Sequence, residues 1–181
     1  MPSVTTVCEG AFSSCGSLAS VSMPSVTTVG VGAFSNCYSL ASVSMPNAQT
    51  VGVGAFGSCE SLASVSMPNV QTVGSDAFGS CNLTSVSIPN VTTIGETAFA
   101  YCHYLSTVSM PSTASVSDYA FYDISRSLSF VNQSTEKISE WFGNWVFGEY
   151  LEPITVACSN GSVYAEWNDS ERKWNVTENL E

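Results

Sequence analysis

The chain has 181 residues, 44% of them hydrophobic and 10% charged, with a formal net charge of −11. That apolar content excludes a disordered polymer, and because Ser, Thr, Asn, Gly or Pro breaks every apolar run, nothing approaches the ~20 residues of a membrane span. Residues 1–124 hold six acids, one His and no Lys or Arg, so nucleic acid and acidic lipid are poor partners; the four bases, Arg126, Lys137, Arg172 and Lys173, all lie beyond.

The opening Met1-Pro2-Ser3-Val4 lacks the basic and apolar regions of a signal peptide. Met1 stands where Met23, Met45 and Met67 stand later, so the chain opens in mid-repeat and is expected to come from a longer parent. Its first layer, around Val4, Val7 and Phe12, would then be uncapped and able to associate with another copy.

Internal repetition dominates the chain as far as Val131. Pro2, Pro24, Pro46, Pro68, Pro89 and Pro111 recur at intervals of 22, 22, 22, 21 and 22, and Phe12, Phe34, Phe56, Phe78, Phe99 and Phe121 keep the same intervals. Two independent columns with one period define a repeat protein. The short interval falls at Cys81-Asn82-Leu83, where one residue between the Cys and Leu columns is missing.

Within a unit, Val21 and Met23 alternate with Ser20 and Ser22, the period-two pattern of a strand buried on one face, and Pro24 ends the ladder. Val26 and Val29 bracket two threonines in an extended return. The Gly30 column is expected to supply a backbone conformation that other residues resist. Ala33, Phe34 and Cys37 come next at helical spacing, with room for only a turn or two before Leu40. About 22 residues make a single layer that cannot bury its own apolar side, so the units are expected to stack as a right-handed solenoid with parallel strands.

Ile88-Pro89-Asn-Val91-Thr-Thr-Ile94-Gly95-Glu-Thr-Ala98-Phe99-Ala-Tyr-Cys102 resembles the BspA-like, Treponema pallidum-type leucine-rich repeat almost position for position. The resemblance covers roughly residues 1–131, with Met in place of the usual Leu or Ile before Pro. It implies a secreted or cell-surface protein used in adhesion to host proteins, other microbes or matrix, an analogy drawn from architecture.

Cys15, Cys37, Cys59, Cys81 and Cys102 form a column that reads as core packing. Parallel strands about 4.7–4.9 Å apart hold equivalent Cβ atoms too far apart for a disulfide, and thiols 22 residues apart do not converge on a metal. Cys8 and Cys158 lie outside the column and no bridge is assigned. No metal or cofactor is expected. His103, beside Cys102, is read as a surface residue rather than half of a nucleophile pair, so no catalytic residue is assigned and the chain is not expected to be an enzyme. Ser20, Ser22, Ser42, Ser44, Ser64, Ser66, Ser85, Ser87, Thr107 and Ser109 would pave the concave sheet, the usual binding face of such solenoids, although they lack the aromatic and Arg anchors of protein interfaces. Asn82, Asn90, Asn132, Asn160, Asn168 and Asn175 head Asn-X-Ser/Thr sequences that the abundance of those residues explains by chance.

Repetition decays after Pro111 and ends near Val131, and residues 132–181 hold all four tryptophans. This segment reads as a C-terminal cap. Bulky groups at helical intervals over residues 139–147 form a helix over the last repeats, residues 154–158 form a terminal strand, Asn160-Gly161 turns, and residues 171–181 are a loose tail. Trp141 and Trp145 are candidates for a sugar-binding aromatic platform, with capping as the competing role. The functions expected are therefore an extracellular adhesion or protein-binding module with host-matrix or microbial-surface proteins as partners; a passive stalk displaying another domain; or glycan binding through the Trp-rich segment.

Overall fold

A computed structural model describes residues 4–125, 127–148 and 153–180. Met1 and Pro2, first members of their columns, and Arg126 lie outside the described residues. The chain forms a parallel β-solenoid of about six turns. In chain order its strands are β1 (Thr6–Val7), β2 (Ser20–Ser22), β3 (Thr28–Val29), β4 (Ser42–Ser44), β5 (Thr50–Val51), β6 (Ser64–Ser66), β7 (Thr72–Val73) and β8 (Ser85–Ser87). After these come β9 (Thr93–Ile94), β10 (Thr107–Ser109), β11 (Ser115–Val116), β12 (Ser127–Val131), the helix α1 (Thr135–Gly143), β13 (Ile154–Cys158), β14 (Gly161–Asn168) and β15 (Lys173–Leu180).

The extended returns pair as one sheet in the order β1-β3-β5-β7-β9-β11. Val7, Val29, Val51, Val73 and Ile94 stand in register along it and all are buried. The Ser-Val-Ser strands form a second wall, which divides into β2-β4-β6 and a sheet beginning β8-β10-β12. The division falls where the 21-residue interval removes a residue between Cys81 and Leu83. β6 and β8 are not paired, and Val65 of β6 is only half-buried where its equivalents Val43 and Val86 are buried.

The third side is a stack of tight turns. Ala33 donates to the Gly30 carbonyl, Ser35 to Gly32 and Cys37 to Phe34, while the alternating N–H groups of Gly32, Phe34 and Asn36 reach forward to Val53, Ala55 and Gly57 in the next layer. Two left-handed residues, four apart, recur in every layer, from Gly10 and Ser14 to Tyr119 and Asp123, and this prevents the helical spacing from closing into an α-helix. The expected role of the Gly30 column is corrected here, because its members do not adopt positive φ. Proximity excludes a side chain instead: a Cβ on Gly52 would lie 2.7 Å from the Gly30 carbonyl carbon, and one on Gly95 2.5 Å from the Ser75 nitrogen. Cys8 occupies the same column in the first described layer and is exposed.

Between these walls runs a file of phenylalanines. Phe12, Phe34, Phe56, Phe78, Phe99 and Phe121 stack with centroids 5.0–5.5 Å apart and planes within 7° of parallel. Phe121 ends the file against Phe130, edge-on at 5.1 Å, and Trp141 at 6.3 Å.

The C-terminal segment departs from expectation in three places. α1 begins at Thr135, capped by Ser134 and by Asn160, whose side-chain oxygen accepts the Thr135 N–H at 2.9 Å. β13 is not terminal: it pairs in parallel with β12 and antiparallel with β14, and β15 forms the sheet's edge. Residues Lys173–Leu180 therefore are not a loose tail but a strand paired along the whole of β14. The sequence signal was missed because only Trp174 on β15 is buried, so the strand shows no alternation of apolar residues.

Deleting one ring from the file should be costly. Phe56→Ala is expected to lower stability by about 3 to 5 kcal/mol, measured by urea denaturation; an unchanged midpoint would contradict a buried, stacked column. Gly52→Ala should destabilise more than Gly54→Ala, since Gly54 has φ +58° but nothing within 4 Å of its added Cβ, limiting its cost to about 1–2 kcal/mol. The opposite ranking would mean that conformation rather than contact selects the column.

Candidate functional site

The hydroxyl residues predicted to form a binding face lie on the outside of the Ser-Val-Ser wall. Ser20, Ser22, Ser42, Ser64, Ser66, Ser85 and Ser87 are exposed, and Ser44, Thr107 and Ser109 half-exposed. The interrupted pairing at β6 and β8 divides this row, and it contains neither charge nor aromatic group. Beyond the strand-ending prolines, Asn47, Asn69 and Asn90 donate to the carbonyls of Pro24, Pro46 and Pro68 at 2.8–2.9 Å, one layer back, and with Gln49 and Gln71 they line a shallow polar groove. Their amides serve the stack; of the asparagines heading Asn-X-Ser/Thr sequences, Asn90 is engaged in this way and Asn160 caps α1.

The cysteine column is buried from Cys37 to Cys102, and all seven cysteines are free thiols. Each buried thiol also has a polar role: Cys37, Cys59, Cys81 and Cys102 donate to the carbonyls of Phe12, Phe34, Phe56 and Phe78 at 3.0–3.2 Å. Burial raises their pKa, to about 12 for Cys59 and Cys102, because desolvation penalises a thiolate. His103 is exposed, with Nδ1 3.9 Å from the Asp123 carboxylate, whereas the Cys102 thiol points into the core. The structure does not bring these two together as a nucleophile and base.

Of the two tryptophans proposed as a platform, the structure separates one. Trp141 is 3% exposed and packs edge-on against Phe130 at 5.1 Å, so it belongs to the cap's core; it lies on the helix face turned toward the file's last ring. Trp145 is half-exposed and stands among other aromatics. A chain of rings crosses the turn side of the last layers: His103 to Tyr101 (6.4 Å), Tyr101 to Tyr122 (5.4 Å), Tyr122 to Tyr119 (6.0 Å), Tyr119 to Trp145 (6.5 Å) and Trp145 to Trp167 (5.5 Å). Tyr101 and Tyr104 are 47% and 63% exposed.

The backbone beneath this strip is under strain. Tyr101, Tyr119 and Trp145 have φ of 61°, 57° and 60°, and Thr97 has φ of 55°. In the earlier layers the same two turn positions hold Gly10, Gly32, Gly54 and Asp76, or Ser14, Asn36, Ser58 and Ser80. Left-handed geometry costs a bulky residue about 1–2 kcal/mol that Gly avoids. Aromatics are thus held on the surface at positions where smaller residues would be more stable. Sequence reading missed the strip because its members fall in different repeats and outside the apolar columns.

The model of the BspA type leucine-rich repeat region matches six copies over residues 1–106 and 27–149. A solved leucine-rich cell surface protein from Faecalibacterium prausnitzii A2-165 is similar, with 27% identity and a TM-score of 0.64 over 92% of this chain and 48% of that one. A leucine-rich repeat protein from Bacteroides ovatus ATCC 8483, 18% identical with a TM-score of 0.52 over 71% of this chain and 46% of that one, shares the fold. The chain spans about half the length of each. No curated protein sequence matches it.

The thiol geometry predicts a graded response to a thiol reagent. Cys8 and Cys15 should react fully in the native protein, half-buried Cys158 more slowly, and the four buried thiols only on unfolding. A native protein with more than three reactive thiols would overturn the assignment. The raised folded-state pKa values also fix a sign: the contribution from Cys59 and Cys102 is intact below the ordinary thiol value of 9.0 and is lost as pH rises toward about 12. Cys59→Val should therefore flatten the alkaline loss of stability, read as the slope of melting temperature against pH from 9 to 12.

Proposed function

We propose that this chain, which belongs to the BspA-type leucine-rich-repeat family, acts outside the cell as a non-catalytic adhesion module whose contact surface is the aromatic strip from Tyr101 to Trp145. The observation that carries this reading is the strain: Tyr101, Tyr119 and Trp145 occupy left-handed positions. The repeat imposes this backbone on every layer, but only the last layers and the cap fill it with aromatics, and strained bulky residues cluster at functional sites. Tyr and Trp are the residues on which protein interfaces concentrate binding energy. The cell-surface name of the Faecalibacterium relative supports the location.

The chemistry around the strip selects the partner's surface. Asp118 and Asp123 flank the rings, and no Lys or Arg occurs before residue 126. A host-matrix or microbial-surface protein presenting Lys and Arg would gain both acid pairing and cation–π contact. The hydroxyl row on the Ser-Val-Ser wall, uncharged and without anchors, contributes solvation and lesser contacts.

Binding to immobilised matrix and microbial surface proteins provides the test. Tyr101→Asn should weaken binding at least about tenfold, the effect of losing one interface anchor worth more than ~1.4 kcal/mol. Its melting temperature should barely change, because relief of the left-handed strain offsets the lost Tyr122 contact. Association should also slow as salt rises from 50 to 500 mM. If none of these proteins binds, as a passive stalk would give, or if Tyr101→Asn binds like the parent, the proposal fails.

A further inference from the structure

The strip ends in a pocket of different chemistry. Trp145, Trp167 and Trp174 enclose, with Ser139, Arg172 and Lys173, a cavity of about 310 Å³ between α1 and the β14–β15 hairpin. Trp167 lies 5.5 Å from Trp145 at 58° and 5.7 Å from Trp174 at 72°. The indoles therefore form a corner rather than a flat shelf. Trp174 is fixed as its back wall: it is buried, its Nε1 donates to the Gly148 carbonyl at 2.8 Å, and Phe142 packs on it at 5.0 Å.

The mouth of this pocket concentrates the chain's scarce positive charge. Two of the four basic residues line it, in a protein of net charge −11. Arg172 is exposed in the turn between β14 and β15 and, like Lys173, would exchange an existing contact for an incoming carboxylate. Lys173 Nζ contacts Glu171 Oε2 at 2.6 Å, a solvent-exposed pair that an incoming carboxylate can exchange with. On the helix side Ser139 Oγ donates to Glu178 Oε1 at 2.6 Å and so leaves hydroxyl and carboxylate oxygens as acceptors.

A ligand matched to this arrangement has an apolar ring face, hydroxyl groups and one negative charge. We propose that the pocket binds a single acidic sugar unit, its ring against Trp145 and Trp167, its carboxylate on Arg172 and Lys173, and a hydroxyl donating to the Ser139 oxygen. The volume lies at the small end of small-molecule pockets and suits one sugar ring rather than an extended polymer. The planar guanidinium of Arg172 pairs with a carboxylate through two parallel hydrogen bonds, which distinguishes an acidic from a neutral sugar. This site is independent of the protein contact proposed for the tyrosines, although Trp145 borders both.

Titrating the whole chain with sialyllactose and with methyl glucuronide, against lactose and methyl glucoside, tests the assignment through tryptophan fluorescence. At least one acidic saccharide should give a saturable change, with affinity about tenfold above its neutral counterpart, as expected of a charge-assisted contact. Which of the two binds distinguishes a sialic acid from a uronic acid. Arg172→Gln, an exposed substitution, should reduce the acidic sugar to the affinity of the neutral one while leaving the neutral sugar's affinity unchanged. Trp167→Phe should weaken both sugars while keeping a ring in the wall, and Tyr101→Asn should affect neither. No saturable change with either acidic sugar, equal affinity for the neutral ones, or an Arg172→Gln variant that binds like the parent would overturn the proposal.

Discussion

Successive layers are held by main-chain hydrogen bonds, and that spacing, about 4.7–4.9 Å between paired strands, governs every column in the molecule. At this distance Phe rings stack nearly parallel, each covering the next. A glycine must stand where two backbones approach too closely for a Cβ. A thiol is long enough to reach the preceding layer's carbonyl but cannot form a disulfide with its equivalent one layer away. One translation therefore accounts for three residue types with different chemistry. Stability obeys the same logic: each ring file or ladder adds a nearest-neighbour term, so the solenoid is held together locally, layer upon layer.

Where the translation fails, the structure records it at once. Loss of one residue between Cys81 and Leu83 leaves the returns and the turn stack continuous but separates β6 from β8, because only the wall nearest the deletion loses register. At the other end, the period is brought to a close by a change of geometry. The N–H groups of Tyr119 and Phe121 donate to Trp145 and Val146, so the segment after α1 takes the place of a seventh turn. Phe130 then meets the last ring of the file edge-on, and Trp141 lies over it 6.3 Å away at 28°, closing the stack. β13 continues the wall in parallel, and the switch to antiparallel pairing at β14 ends the repeat's direction.

The repeat itself was legible because its information is columnar: Pro, Phe and Cys each recur with the period, and burial of the Phe and Cys columns is dictated by their apolar character. The reason for the Gly30 column was not legible, since a glycine needed for positive φ and one needed for close approach look identical in sequence. The left-handed positions were invisible for a related reason. They hold Gly, Asp, Thr, Tyr, Ser or Asn in turn, with no shared residue type, and only the backbone shows that they are equivalent. The tryptophans divided in the same way. Trp141 and Trp145 are four apart, which suggested one face, but the helix ends at Gly143, and the left-handed Trp145 directs its ring outward to the tyrosines.

The asymmetry along the solenoid bears on function more than any single residue does. The early layers use Gly, Ser, Asn and Asp at the left-handed positions, all small residues, and their outer walls carry hydroxyls together with Asn amides engaged in holding the stack. The last two layers and the cap place Thr, Tyr and Trp at equivalent positions and gather the aromatics on one side. The left-handed backbone is common to every layer, and only toward the C-terminal end does it carry bulky aromatic side chains. The cations show the same gradient, absent before residue 126 and concentrated at the Trp-lined pocket. The aromatic strip and the Trp-lined pocket, the two surfaces proposed for recognition, thus both lie at the C-terminal end of the solenoid.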